Sequence, residues 1–319
     1  MSFAFVFPGQ GSQSLGMLSS LAGAEELRTT FTEASSVLGF DLWALTQVGP
    51  AERLNATENT QPVLLAAGVA LSRLWHKRGG GEPAAVAGHS LGEFTALVCS
   101  GALEFALAVE LVRFRGRIMQ EAVPSGAGSM AAIIGLEDSQ VLEACRTAAA
   151  AGGVVEPVNF NAPGQVAIAG ERAAVQRAIE SASALGARRA IELQVSVPAH
   201  SSLMRPAAAQ FAARLERVPL AAPRIPWVSA VDARSHADPA DIRDLLTRQL
   251  ASPVRWCDTV RALAERGIGQ LIECGPGKVL TGLNRRIDRR AEFKALSLED
   301  EPSIEAALAA VGQSEGRHA

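Results

Sequence analysis

Ala84-Ala85-Val86-Ala87-Gly88-His89-Ser90-Leu91-Gly92-Glu93 is the stretch from which the fold can be read. Small apolar residues lead into Gly-x-Ser-x-Gly, and an apolar run to Cys99 follows. A short strand, a tight turn and a helix in direct succession would hold Ser90 on a sharp bend. Flanking glycines relieve crowding there and leave the serine Oγ exposed. The helix that follows points backbone N–H groups, Leu91's among them, at the reacting centre, and such donors stabilise an oxyanion. A plain strand–turn–helix link of small residues would share part of this pattern; its context weighs toward a nucleophile.

Working outward, strands and helices alternate on both sides. Phe3-Ala4-Phe5-Val6-Phe7 reads as a first strand and runs into the Gly-rich loop Pro8-Gly9-Gln10-Gly11-Ser12-Gln13. Helical patterns cover residues 21–38 and 61–77, the second with Leu64, Leu65, Val69, Leu71 and Trp75 near helical spacing, and Gly79-Gly80-Gly81 ends it. Beyond Ser90, helices are expected at 91–99 and 105–121. This alternation predicts a parallel α/β sheet. After Pro124-Ser125-Gly126-Ala127-Gly128 the pattern changes to strand 130–134, helix 138–149, strands 154–160 and 165–169, helix 171–185 and strand 189–193. That βαββαβ order predicts a small inserted ferredoxin-like subdomain. The larger fold resumes at the helix after Pro198, with a strand at 226–231, a helix at 240–249 and a strand at 270–273 that turns into a helix. Residues 313–319 read as a frayed tail. The expected division is 1–126 with 197–319 as one discontinuous large domain, and 127–196 as the subdomain.

Composition narrows the function classes. The chain has 319 residues, 48% of them hydrophobic, with 30 Lys+Arg against 33 Asp+Glu. That suggests about two domains, or one large domain with an insertion, and enough apolar surface for a sizeable core. The near-neutral balance lacks the basic footprint of a nucleic-acid binder. There is no tyrosine to serve as acid, base or nucleophile. Cys99, Cys145, Cys257 and Cys274 are scattered without metal-ligand spacing, so they read as free thiols. The N-terminus lacks a basic leader pattern, and no apolar run approaches the ~18 residues of a membrane span, so a cytoplasmic protein away from the membrane is expected.

A serine nucleophile needs a base. Of the five histidines, His318 lies in the tail, His76 beside Lys77 and Arg78, His236 in a polar loop, and His89 next to the serine with its ring turned away. His200, ahead of a helix, is the candidate by elimination. A helix N-terminus would keep its ring neutral, though simple capping of the helix is an equal alternative. Arg115 falls on the apolar stripe Ala108, Leu111, Val112, Ile118, Met119 of its helix, and a guanidinium there needs an anion. That anion is either an internal Asp or Glu or a substrate carboxylate held by a bidentate clamp. The Gly9–Gln13 loop leaves the carboxyl end of a strand, where open α/β sheets place ligands. Gly275-Pro276-Gly277-Lys278 lacks the spacing of a phosphate loop. Arg188-Arg189, Arg285-Arg286 and Arg289-Arg290 read as solvated faces, or as a landing site for an acidic partner.

Taken together and in order, Phe7-Pro8-Gly9-Gln10-Gly11-Ser12-Gln13, Gly88-His89-Ser90-Leu91-Gly92-Glu93, Arg115-Gly116 with Met119-Gln120, Val197-Pro198-Ala199-His200 and Gly275-Pro276-Gly277 closely resemble the bacterial malonyl-CoA:acyl carrier protein transacylases of type II fatty acid synthesis. Gln61-Pro62, Pro157-Val158-Asn159-Phe160-Asn161 and Arg248-Gln249-Leu250 extend the likeness over nearly the whole chain. The resemblance implies a large α/β-hydrolase-like domain carrying the small ferredoxin-like insertion, with Ser90 as nucleophile, His200 as base, and Arg115 as the group holding the malonyl carboxylate. It also implies Gln10 and Leu91 as oxyanion-hole N–H donors, and the Gln249 carbonyl as the group orienting the histidine. It implies ping-pong transfer from malonyl-CoA, a thioester substrate, to holo-acyl carrier protein, by a monomer with no permanently bound cofactor. Phe94 departs from the tyrosine of many relatives, with no change of chemistry expected. Three other readings compete. An α/β-hydrolase would want an acid between serine and histidine. The malonyl-transferring subunit of a malonate decarboxylase would differ in the carrier it accepts. A non-catalytic docking subunit would need none of Ser90, His200 and Arg115.

Overall fold

Ten strands assort into two sheets in the computed structural model, which describes residues 2–193, 195 and 197–315. The larger sheet contains β1 (Ser2–Phe7), β2 (Ala85–Gly88), β7 (Trp227–Val228), β8 (Ser235–His236), β9 (Ile268–Glu273) and β10 (Lys294–Ser297). The smaller contains β3 (Gly128–Ile134), β4 (Val155–Ala162), β5 (Gln165–Glu171) and β6 (Arg189–Glu192).

The large sheet has the order β10-β9-β1-β2-β7-β8, parallel except for the β7–β8 pair. Helices cover both faces, so its middle strands are apolar throughout rather than alternating. In β1 every residue from Phe3 to Phe7 is buried. Trp75, from the helix Thr57–Lys77, packs on Phe3 and Phe5. β1 and β2 lie side by side in the register Ala4↔Ala85 to Phe7↔Gly88. Their carboxyl ends therefore deliver the loop after Phe7 and the Ser90 turn to the same edge. The helices Thr57–Lys77 and Phe105–Glu121 pack together beneath that edge.

The small sheet is antiparallel with the order β4-β5-β3-β6, the split βαβ arrangement expected for a ferredoxin-like unit. Its helices Asp138–Ala150 and Arg172–Ala184 bury one face through Ile133, Val141, Ile168 and Val175. The other face gathers Met130, Val158, Ala167 and Ala169 and packs toward Ala199 of the larger unit. The two units are joined through backbone. Val254 N–H donates to Val158 O at 2.8 Å, and Phe160 N–H donates to Val254 O at 2.9 Å. Arg286 adds side-chain bonds to Gln165 Oε1 and to Pro163 O.

Several elements differ from the sequence expectation. The strand expected at 226–231 ends at Val228, because the chain reverses through a turn with Ala233 in the left-handed region (φ 59°) and pairs back as β8. The helix expected at 21–38 is a 3-10 turn, Ser19–Leu21, and a separate helix, Glu25–Leu38, parted at Ala22-Gly23-Ala24. Helices Leu42–Val48, Ala51–Asn55 and Trp256–Glu265, and the strands β8 and β10, were not anticipated. The helix Glu301–Glu315 runs into the expected tail. Residues 316–319, with His318, and the subdomain limit at Ser196 lie outside the described residues.

Candidate active site

Steric necessity makes the Ser90 turn. A Cβ on Gly88 would sit 1.9 Å from the Gly92 carbonyl carbon, and one on Gly92 would sit 2.0 Å from Phe7 O. Only glycines let the strand end, the helix start and β1 come this close. Ser90 itself takes φ 53°, a left-handed conformation that a non-glycine residue adopts at a cost, and that turns its side chain out of the sheet edge.

His200 also has a left-handed backbone, φ 67°, and its N–H donates to Leu250 O at 3.1 Å. The ring is buried. Nδ1 lies 2.7 Å from the Gln249 carbonyl oxygen, which can only accept, so Nδ1 carries the proton. Nε2 is then an acceptor, 2.7 Å from Ser90 Oγ. The His200 pKa is lowered to about 3, first by burial and then by the nearby Arg115 charge. The expected cause, a helix N-terminus, is corrected: the helix Arg205–Leu215 starts five positions on, with a 3-10 turn between. No carboxylate orients this histidine; a backbone carbonyl does. That separates the site from a Ser-His-Asp triad.

Arg115 is buried on the core-facing stripe, as its helical position requires. Among the described residues no internal Asp or Glu is its direct partner. Nη1 donates to Gln61 Oε1 at 2.9 Å, and Nη2 donates to Gln249 Oε1 at 2.8 Å and to Ser90 Oγ at 3.2 Å. Among the described residues no carboxylate is within ion-pair distance, and Nε, also buried, has no hydrogen-bond partner. The Arg115 pKa is lowered to about 10 by burial, against the opposing pull of Glu93. Its guanidinium lies 5.5 Å over the Phe94 ring, which in turn packs edge-on to Phe211.

A cavity of about 120 Å³ opens beside Ser90 Oγ. Gln10 and Leu91 line it from the ends of β1 and β2, and Arg115, Gln61 and His200 from the helical side. Met130 and Asn159 close it from the small sheet. His89 also reaches its wall, but the ring is turned to Asn161 Oδ1 at 2.9 Å. His236 pairs with Asp232 at 3.0 Å, away from the cavity. Lys278 pairs with Glu299. The arginine runs are partly structural: Arg285 donates to Ala295 O and Arg290 pairs with Asp288, whereas Arg189 is exposed. Among the described residues no group of three His, Cys, Asp or Glu side chains could hold a metal ion, and no helix is long and apolar enough to cross a membrane.

The sequence reading missed two site groups. Gln249 was expected to act through its carbonyl alone, yet its side-chain amide also binds Arg115 and Ser90 O. Glu93 is fully buried and touches that amide. The available signal was an acid opening a short helix, Gly92–Cys99, that is otherwise almost wholly apolar.

This fold and this site define an acyltransferase, and residues 4–295 match the acyl transferase domain family. The chain belongs, within that family, to the malonyl CoA-acyl carrier protein transacylases. It is 55% identical over 306 residues to the malonyl CoA-acyl carrier protein transacylase of Escherichia coli, covering 96% of this chain and 98% of the relative. It superposes at TM-score 0.93, with 52% identity, on an acyl carrier protein S-malonyltransferase from Vibrio cholerae, covering 96% of this chain and all of that one. A malonyl-transacylase in complex with its type II PKS acyl-carrier protein is equally similar, with TM-score 0.94 and 52% identity over 97% of this chain and 99% of that one.

Proposed function

We propose that this chain transfers the malonyl group of malonyl-CoA to the phosphopantetheine thiol of holo-acyl carrier protein, supplying fatty acid chain elongation. The observation that carries the proposal is Arg115: a buried cation with an unused N–H and no carboxylate partner among the described residues, set against the nucleophile. A donor carboxylate would complete it.

In this mechanism His200 Nε2 takes the Ser90 proton as Oγ attacks the thioester carbonyl. The tetrahedral oxyanion rests on the N–H groups of Gln10 and Leu91. The Gln249 carbonyl steadies the imidazolium in place of a triad carboxylate. Collapse breaks the C–S bond, CoA leaves with the proton from His200, and malonyl-Ser90 ester remains. The carrier's thiol then gives its proton to His200 and attacks the ester, and Ser90 leaves reprotonated. The thioester is substrate, and no step asks for a bound cofactor. Residues 1–126 with 197–319 form the catalytic domain in this proposal, and 127–196 a subdomain that walls the cavity.

The experiment is the intact mass of the protein after brief exposure to malonyl-CoA, with Ser90→Ala alongside. One added malonyl group, absent from Ser90→Ala, is expected. Accumulating free malonate with no mass shift would instead indicate a hydrolase, and no reaction at all a docking subunit.

A further inference from the structure

We propose that Glu93 is a positioning residue for donor recognition: its carboxylate dictates which way round the Gln249 side-chain amide sits, and that amide aims Arg115 at the cavity. The proposal rests on the assignment of Arg115 to the donor's carboxylate.

The argument is one of hydrogen-bond polarity. Glu93 Oε1 accepts from Ala230 N–H at 2.7 Å, and Oε2 faces Gln249 Nε2. The same Nε2 donates to the Ser90 carbonyl oxygen at 2.9 Å. Both groups on that side are acceptors, so the amide nitrogen must face them. The amide oxygen is thereby turned the other way, where it accepts from Arg115 Nη2 at 2.8 Å. A side-chain amide has nearly the same shape in either orientation, so only its partners select between them. All these groups but the Ser90 carbonyl belong to side chains or turns that are almost fully buried, where water cannot substitute for a missing partner. A carboxylate that merely satisfied Ala230 N–H could be replaced by any acceptor. A carboxylate that sets the amide cannot be replaced by another amide.

Glu93→Gln separates the two roles. Its oxygen can still serve Ala230 N–H, but its NH2 then meets Gln249 Nε2, donor against donor. If Gln249 turns over to avoid this, its oxygen meets Ser90 O and its nitrogen meets Arg115. The remaining arrangement, with the new oxygen toward Gln249, orphans buried Ala230 N–H instead, so no arrangement satisfies every partner and the acceptor of Arg115 is no longer fixed. His200 is held by the Gln249 backbone, so the Ser90–His200 pair is reached less directly.

The test compares wild type and Glu93→Gln for malonyl transfer, acetyl transfer and labelling of Ser90 by a fluorophosphonate, with thermal midpoints read alongside. A fall in malonyl kcat/KM of about 10- to 100-fold is expected. The falls in acetyl transfer and in labelling should be at least about tenfold smaller. In an Arg115→Ala background Glu93→Gln should cost little more, because its effect passes through Arg115. A malonyl-to-acetyl ratio equal to that of wild type, or equal losses in transfer and labelling, would overturn the proposal. Gln249→Met, which keeps the carbonyl and removes the amide, is the second variant should Glu93→Gln not fold; absence of the donor-selective loss there also overturns it. The 15N-arginine NMR spectrum, with Arg115 assigned through Arg115→Lys, gives a readout without substrate. If wild type moves no malonyl, the donor assignment fails, and this spectrum alone decides the role of Glu93. A displaced Arg115 signal in Glu93→Gln supports it, and an unmoved one overturns it.

Discussion

At the residue scale, burial rather than a carboxylate tunes the base. His200 ordinarily titrates near 6.5 and is lowered to about 3 by burial and then by Arg115. It stays neutral, and able to accept the Ser90 proton, well below pH 6. Ser90 labelling by a fluorophosphonate should therefore show no acid limb near 6.5. Arg115→Ala removes one of the two leading causes of the lowering, so the limb should move to higher pH in that variant; the same limb position in both proteins would contradict the account. Arg115→Ala should also cost malonyl transfer about 100-fold or more, in line with the roughly 2–5 kcal/mol lost on truncating one side of a buried charge pair. Acetyl transfer, which offers no carboxylate, should fall far less.

At the element scale, the loop from β9 into the helix Val279–Ile287 shows why it is no phosphate site: its own carboxylate occupies the helix start. Glu273, fully buried, accepts from Leu280 N–H at 3.0 Å and from Thr281 N–H and Oγ–H, both at 2.7 Å. Glu273→Ala orphans these donors and should destabilise the fold by about 3 kcal/mol, read from the urea midpoint. The carboxyl is raised from 4.5 to about 7 by burial. A carboxyl raised in the folded state binds its proton more tightly there than when unfolded. Its contribution is therefore full below pH 4.5 and is lost as pH rises through 7. The loss is on the order of 3 kcal/mol. Unfolding at pH 5 and pH 8 should show Glu273→Gln with a flatter pH dependence than wild type. Glu93, also raised to about 7, pushes the wild type in the same direction.

At the scale of the whole molecule, the cavity exists only because two sheets close on each other. Gln10, Ser90 and Arg115 come from one unit, and Met130 and Asn159 from the other. The backbone bridge at Val254 flanks Asn159, and with the bonds of Arg286 it holds the wall in place. Val254→Pro removes the 2.8 Å donation to Val158 O. It should lower stability by about 1–3 kcal/mol and raise KM for the malonyl thioester more than it lowers kcat. An unchanged KM in the folded variant would show that the wall does not depend on this bridge.

What the sequence by itself determined are the features that arise within a few residues of chain. The Ser90 turn was legible because Gly88 and Gly92 are steric requirements written at fixed spacing. Arg115 was placed on a buried face because helical periodicity is local, and the βαββαβ order was plain because each element carries its own pattern. Strands of two residues and short connecting helices escaped, since tertiary pairing rather than propensity makes them. Only the tertiary structure decided which groups meet. It brought His200 Nε2 to Ser90 Oγ across 110 positions and gave Arg115 two glutamines and the serine itself, rather than an internal carboxylate, as its partners within the chain. It also replaced a helix dipole with burial as the cause that keeps the base neutral, and enlisted Glu93 through the far side of the Gln249 amide. These depend on distances between remote segments and on the exclusion of water where they close, and neither quantity has a local signature in the chain.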